Sequence, residues 1–240
     1  MDSSLPALLG FSLVPLVATL VGACAATVWV PPPAVRSAIQ HFAAGAVFAA
    51  VALELLPAER EQAPEAVVVG FALGVAAMLV LRHLTGELEQ GEGTASPRPT
   101  RLLGVIAVDQ LVDGLVLGVG FAAETKTGIL LTIALTLEVG FVGLAAAAAL
   151  SAARLGRAWV IGAPTALALL LVLGAVLGGT AFAALPRPAF GVVLAFGSAA
   201  MLYLVTEELL VEAHEVPETQ VTTAMFFVGF VALLVIDMLA

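Results

Sequence analysis

The sequence predicts an all-α polytopic membrane protein with eight transmembrane helices. Of its 240 residues, 61% are hydrophobic and only 11% are charged, whereas about 25% of the residues in a soluble domain are charged. The mean hydropathy is +1.12. The apolar residues fall into eight runs of about 20 residues, the length that crosses a bilayer as a helix. These predicted spans lie at 6–30, 34–56, 65–84, 102–122, 127–152, 159–182, 188–212 and 219–239.

Short segments rich in proline, charged or polar residues separate the spans. Only segment 86–101 is long enough to be flexible, and its Gly, Glu, Ser and Pro content is typical of a disordered linker. We therefore expect residues 1–240 to form a single transmembrane domain, with 86–101 as a flexible cytoplasmic linker between spans 3 and 4.

Two segments resemble each other and predict an internal repeat. Residues 45–59 contain Glu54-Leu-Leu, and residues 197–212 contain Glu208-Leu-Leu, near the ends of spans 2 and 7. These two spans run in opposite directions, as in an inverted repeat of helices 1–3 and 6–8 around a central pair, helices 4 and 5. Chance similarity between segments rich in leucine and alanine is the alternative.

The basic residues predict the orientation in the membrane. Cytoplasmic loops carry an excess of Lys and Arg. One face of the predicted bundle would carry Arg36, Arg82, Arg98, Arg101, Arg154 and Arg157, and the other Arg60, Lys126 and Arg187. The first face is therefore expected to be cytoplasmic, which places both termini outside the cell membrane.

The composition disfavours several classes of function. The formal net charge of −9 does not suit a nucleic-acid partner. The single cysteine, Cys24, gives no disulfide framework and no zinc-finger spacing. The sequence contains no nucleophile with a base partner, phosphate loop or membrane-protease motif. We therefore expect a protein that is not an enzyme and uses no organic cofactor, and we leave a homodimer open.

Polar groups inside spans 4 and 5 carry the functional prediction. Asp109 and Asp113 are four residues apart, so both lie on one helical face, with Gln110 beside them. At 1.5 Å per residue they lie about 10–16 Å into span 4, and Glu138 lies about 16 Å into span 5 from the other side. The four can meet near the midplane, where a divalent cation would offset the repulsion between carboxylates. Protonated or hydrogen-bonded packing groups are the alternative.

A second cluster is predicted near the cytoplasmic face. His41 begins span 2, while Glu207, Glu208 and His214 end span 7. Imidazole and carboxylate groups together suit zinc, iron or manganese, so this cluster would make a metal release site. Interfacial side chains that reach water are the alternative. Glu54, at the outer end of span 2, is either a ligand for entering metal or a solvated helix end.

Four segments, taken in order, resemble the Zrt/Irt-like (ZIP) family of divalent-metal transporters, in a divergent prokaryotic form. The eight spans with outside termini also fit this family. The segments are His41-Phe-Ala-Ala-Gly-Ala-Val-Phe, Glu54-Leu-Leu-Pro-Ala-Glu, Asp109-Gln-Leu-Val-Asp113-Gly114, and Tyr203-Leu-Val-Thr-Glu-Glu-Leu-Leu-Val-Glu-Ala-His214.

The resemblance implies a role for each polar residue of the motifs. Asp109 stands where the family has a metal-binding His, Gln110 where it has Asn, and Asp113 where it has Glu. Glu138 keeps an acidic ligand of span 5. The pair at 207–208 resembles the family's acidic or His-Glu pair in span 7. The resemblance also implies an elevator-like shift of the bundle that holds spans 4 and 5, carrying metal into the cytoplasm.

The chain departs from the family pattern in its ligand set. Asp109 replaces an imidazole, and the second ligand of span 5 is lost to Phe141 or Val142. Span 6 has no acid, and the prolines of spans 4 and 5 are missing. A mononuclear, oxygen-rich site for Zn, Mn, Fe or Cd is therefore expected. Two rival hypotheses remain: a proton- or monovalent-cation-coupled carrier of the same fold, and a membrane metal sensor or scaffold without transport.

Overall fold

Eight long helices account for the architecture of the chain. The computed structural model describes residues 4–90, 99–214, 216–217 and 219–239. Within these residues it has eight helices that are long and apolar enough to cross a membrane, and it has no strand. The prediction of an all-α, eight-helix membrane protein is confirmed. The helices are α1 (Ser4–Ala26), α2 (Pro33–Glu59), α3 (Pro64–Gln90), α4 (Pro99–Ala123), α5 (Thr125–Ala152), α6 (Arg157–Phe182), α7 (Arg187–Ala213) and α8 (Gln220–Leu239).

Prolines begin several of these helices. Pro33, Pro64 and Pro99 each stand at the first residue of a helix, where the missing backbone N–H has no intrahelical partner to lose. Helix α3 runs on to Gln90, and α4 begins at Pro99. Residues 91–98, the centre of the predicted linker 86–101, lie outside the described residues, so the flexible linker stays a prediction.

Three of the helices contain a π-turn, a local widening of the helix that is frequent at functional sites. The π-turns span Val51–Leu55 in α2, Gly178–Phe182 in α6 and Val205–Leu209 in α7. Glu54 and Glu208 each occupy the fourth residue of their π-turn. Two glutamates from matching segments of the sequence therefore share the same local backbone setting.

The helices pack as two four-helix bundles. Bundle A contains α1, α4, α5 and α6, and bundle B contains α2, α3, α7 and α8. The main contacts between the bundles are made by α2 with α5 and by α4 with α7. The central helices α4 and α5, which carry the predicted metal ligands, therefore lie in one bundle and face the other.

Two pairs of helices within bundle A make equivalent close contacts. A β-carbon on Gly114 of α4 would lie 2.1 Å from the carbonyl oxygen of Leu171 in α6. A β-carbon on Gly143 of α5 would lie 2.6 Å from the carbonyl oxygen of Thr19 in α1. The contact of α4 with α6 is thus repeated by α5 with α1.

Two pairs of helices within bundle B also make equivalent close contacts. A β-carbon on Gly229 of α8 would lie 2.0 Å from the carbonyl oxygen of Phe42 in α2, and one on Gly74 of α3 would lie 2.7 Å from that of Phe196 in α7. Taken together, these equivalent contacts pair α1 with α6, α2 with α7, α3 with α8 and α4 with α5. This is the exchange that the predicted inverted repeat requires.

The tight contact at Gly114 predicts a specific loss of stability. Gly114→Ala would place its methyl group against the Leu171 carbonyl, so we expect a loss of about 1–3 kcal/mol from overpacking. Gly104→Ala, in the same helix, is the matched control because a β-carbon there meets nothing within 4 Å. Unfolding by SDS, followed by circular dichroism, measures the difference. Equal midpoints for the two variants would contradict the tight α4–α6 contact.

Candidate metal centre

The predicted central acids converge in the structure. Helix α4 presents Asp109 and Asp113 one turn apart, and α5 presents Glu138 toward them. One carboxylate oxygen from each of the three lies within 4.8 Å of the other two. Asp113 and Glu138 are fully buried, as is Gln110 on the next position of α4, while Asp109 is partly exposed. These carboxylates can be bridged by a single cation.

The buried polar atoms of this cluster lack hydrogen-bond partners within the described part of the chain. They include both carboxylate oxygens of Asp113, one of Glu138, and both the amide oxygen and nitrogen of Gln110. A buried polar group without a partner costs about 1–3 kcal/mol, and a charged group costs more. Packing alone does not explain such a group of side chains, whereas a bound cation or bound protons would satisfy the carboxylates.

The inverted repeat places two of the acids at equivalent positions. Gly114 follows Asp109 by the same number of residues as Gly143 follows Glu138, and these glycines make equivalent contacts. Under this relation Val142 is the equivalent of Asp113. The position on α5 that corresponds to Asp113 therefore carries an apolar side chain instead of a carboxylate.

A cavity connects the cluster with one face of the bundle. We call the end where α1 begins and α8 ends the terminal face, and the other end the opposite face. A cavity of about 290 Å³ is lined by Asp109 and Glu138 and extends along Gln40, Glu208 and Glu212 toward the opposite face. Toward the terminal face, buried side chains of the hydrophobic core fill the space, including Val51, Leu117, Leu131, Leu135 and Leu194. Among the described residues, this cavity thus opens the cluster toward the opposite face, while packed side chains separate it from the terminal face.

The predicted pair on α7 separates into two environments. Glu208 lines the cavity together with Asp109. Its neighbour Glu207 accepts a hydrogen bond from Nη1 of Arg82 in α3 at 2.5 Å, and both of these side chains are substantially exposed. Glu208 is thus close to the path to the centre, and Glu207 forms an ion pair within bundle B.

His41 is not part of the central cluster. Its Nδ1 donates a hydrogen bond to the carbonyl oxygen of Ser37 at 2.8 Å. His41 is buried, its Nε2 has no hydrogen-bond partner among the described residues, and its ring packs edge-on against His214 with centroids 5.1 Å apart.

Among the described residues, the only group of three or more His, Cys, Asp or Glu side chains close enough to share an ion is Asp109, Asp113 and Glu138. His41, Glu207 and Glu208 do not come together at one point in this conformation. Their role in metal release stays a prediction. Gln40, whose Nε2 donates to Glu212 Oε2 at 2.6 Å, borders the same cavity and had no signal in the sequence beyond being an amide in an apolar span.

The terminal face has its own polar cavity, of about 700 Å³. Glu54 Oε2 accepts a hydrogen bond from Thr127 Oγ1 at 2.6 Å, and Lys126 Nζ lies 2.8 Å from Asp237 Oδ1. Lys126 and Asp237 were missed as interacting residues. An aspartate in an apolar span was the available signal, but the sequence alone does not identify its partner.

Comparison with known proteins identifies the family. No curated protein matches the chain. The profile of the ZIP Zinc transporter family matches residues 99–237, which is more than half of the chain and covers α4 to α8. The match includes all four polar residues of the central cluster. With its eight apolar helices and buried acidic centre, the chain therefore belongs to the ZIP zinc transporter family.

Proposed function

We propose that this ZIP-type membrane transporter carries a divalent cation through one oxygen-rich site formed by Asp109, Gln110, Asp113 and Glu138. The observation that carries the proposal is the convergence of three carboxylates whose buried oxygens include several without a hydrogen-bond partner among the described residues. Intramembrane acids of this kind usually mark an ion path. A divalent ion neutralises most of their charge and supplies the missing partner for the amide oxygen of Gln110.

The chemistry of the ligands favours certain metals. All four donors are oxygens, because Asp109 stands where the family's motif has a histidine. Carboxylate and amide oxygens suit Mn²⁺, whereas imidazole ligands suit Zn²⁺ and Fe²⁺ better. Since Val142 takes the place of a second ligand on α5, the site holds one ion rather than two.

The bundle arrangement supports an elevator-type mechanism. All four ligands belong to bundle A, while Gln40, Glu208 and Glu212 of bundle B form one wall of the cavity. Sliding bundle A along bundle B would carry the ion from one face to the other without dismantling its ligand set. With the termini outside, as the distribution of basic residues predicts, this conformation is the one that releases metal to the cytoplasm.

Uptake into reconstituted vesicles tests the proposal. Carboxylates must be deprotonated to bind metal, so we expect uptake of Mn²⁺ or Zn²⁺ to fall between about pH 7.5 and about pH 5.5. The fall should reach about tenfold per pH unit when one proton has to leave for each ion bound. A metal-sensitive dye and a pH-sensitive dye inside the vesicles report the two fluxes.

The same experiment distinguishes the rival functions. The unpartnered carboxylates can also bind protons, which favours a proton-coupled carrier as the second candidate. A proton flux that is unaffected by metal would support that carrier. Metal binding without any flux would instead support a sensor or scaffold and reject transport.

A further inference from the structure

Two polar contacts join the bundles at the terminal face. Lys126 of α5 places its Nζ 2.8 Å from Oδ1 of Asp237 in α8 and donates a hydrogen bond to the Asp237 carbonyl oxygen at 2.9 Å. The next residue, Thr127, donates to Glu54 of α2 at 2.6 Å. Consecutive residues at the start of one bundle A helix thus hold two different helices of bundle B.

These contacts lie on the side where the centre is closed. All four residues line the cavity of the terminal face, and Leu194 lines it beside them. Leu194 is also part of the buried core, so the contacts lie at the boundary between this cavity and the packed interior. The four residues therefore border the space that leads from the terminal face to the buried core.

Two glutamates that are equivalent in the inverted repeat have different contacts at the two faces. Glu54 follows Phe42 by the same number of residues as Glu208 follows Phe196, and the two phenylalanines make equivalent contacts. Glu54 is hydrogen-bonded across the bundle interface, whereas its equivalent, Glu208, borders the open cavity of the opposite face. The glutamate that bonds to bundle A is therefore the one at the terminal face, where the path to the centre is closed.

We propose that Lys126 and Thr127 form a latch with Asp237 and Glu54, and that this latch must open before a cation can pass the terminal face. Lys126 is a tethered cation that occupies the carboxylate of Asp237, so an incoming divalent ion competes with its ammonium for the same oxygens. The inference rests on the relative movement of the bundles in the proposed function, and it adds the contact that controls one end of that movement.

The ion pair between Lys126 and Asp237 is weak enough to break and form again in each transport cycle. The side chains of Lys126 and Asp237 are 38% and 20% exposed, so solvent and salt screen their attraction. Pairs of this kind contribute about 0.2–1 kcal/mol. Removing the ammonium should therefore raise the population open at the terminal face about 1.4- to fivefold.

Cysteine accessibility in the metal-free, purified protein measures this population. The exposed Cys24 is first replaced by alanine. Leu194→Cys then reports opening at the terminal face, because Leu194 is buried beneath that cavity, and Ala145→Cys reports on the open cavity of the opposite face. We expect Lys126→Met to speed the reaction of a water-soluble maleimide at position 194 about 1.4- to fivefold and to leave the rate at 145 unchanged or slower.

Three variants sharpen the test. Lys126→Arg keeps a positive charge, so the maleimide should react at position 194 as slowly as it does when Lys126 is present. Arg187→Met is the matched control, because Arg187 lines the same cavity without belonging to the latch. The charge exchange Lys126→Asp with Asp237→Lys should restore slow modification at position 194.

The latch is overturned if Lys126→Met leaves the rate at 194 unchanged, if Arg187→Met has the same effect, or if positions 194 and 145 both react faster, which indicates general loosening. Because no metal is present, the outcome is independent of transport. Rate changes as expected in a chain that carries no metal would reject the proposed function and retain the latch.

Discussion

Asp113→Asn is expected to weaken divalent-cation binding about 100-fold or more, and to stabilise the metal-free protein at the same time. Even residues that only support a metal ligand typically account for 10- to 100-fold in affinity, so loss of a carboxylate ligand should reach at least the upper end of that range. Without metal, Asp113 has two buried oxygens without partners in the described part of the chain. A neutral amide of similar size removes one acid and its repulsion of the other carboxylates, which should raise the free energy of unfolding of the metal-free protein.

Thermal unfolding with and without metal separates these two effects. At a metal concentration about 100 times the dissociation constant, binding should stabilise the native chain by about 2.7 kcal/mol. Asp113→Asn should unfold at a higher temperature than the native chain when metal is absent, and should respond little when metal is added. Glu138→Gln should behave in the same way, because its carboxylate belongs to the same cluster.

Glu65→Gln is the matched control for loss of a carboxylate. Glu65 is exposed in the first turn of α3, far along the chain from the cluster. It should keep the metal-induced increase in unfolding temperature. If Asp113→Asn and Glu138→Gln also kept it in full, the metal would have to bind elsewhere, and the assignment of the centre would be wrong.

The geometry within each helix was predictable because it depends on local periodicity. A spacing of four residues sets Asp109 and Asp113 on one face whatever the helix packs against. Counting residues from the membrane surface placed Glu138 at the same depth, and the structure brings the three together. The repeat was also visible, since Glu54 and Glu208 are each followed by two leucines.

The contacts between distant helices were not predictable in this way. Glu207 and Glu208 are neighbours in the sequence, yet one pairs with Arg82 and the other faces the cavity. Their directions depend on the rotation of α7 against α3 and on the π-turn at Val205–Leu209, which shifts the phase of the side chains. The pairing of Lys126 with Asp237 likewise joins residues whose distance is set by the packing of two bundles, which the local pattern of either helix does not encode.

Asp109→His is expected to change which metal the transporter prefers. Imidazole is a softer ligand than carboxylate and favours Zn²⁺ over Mn²⁺, so the preference for Zn²⁺ should rise about tenfold. The larger ring has room, because Asp109 is partly exposed and lines the cavity toward the opposite face. Competition between Zn²⁺ and Mn²⁺ for binding and for vesicle uptake measures the ratio, at about pH 7.5 so that the imidazole is neutral.

The comparison with Asp109→Asn distinguishes the ligand atom from the charge. Asparagine and neutral histidine both remove one negative charge, so both should lower the affinity for Mn²⁺. Only histidine supplies a nitrogen donor, so only histidine should raise the ratio of Zn²⁺ to Mn²⁺. If both variants gave the same ratio, Asp109 would influence the ion through its charge rather than as a ligand. A higher ratio for histidine alone would instead mean that the oxygen-rich centre, and Asp109 in particular, is what limits the preference of this transporter for zinc.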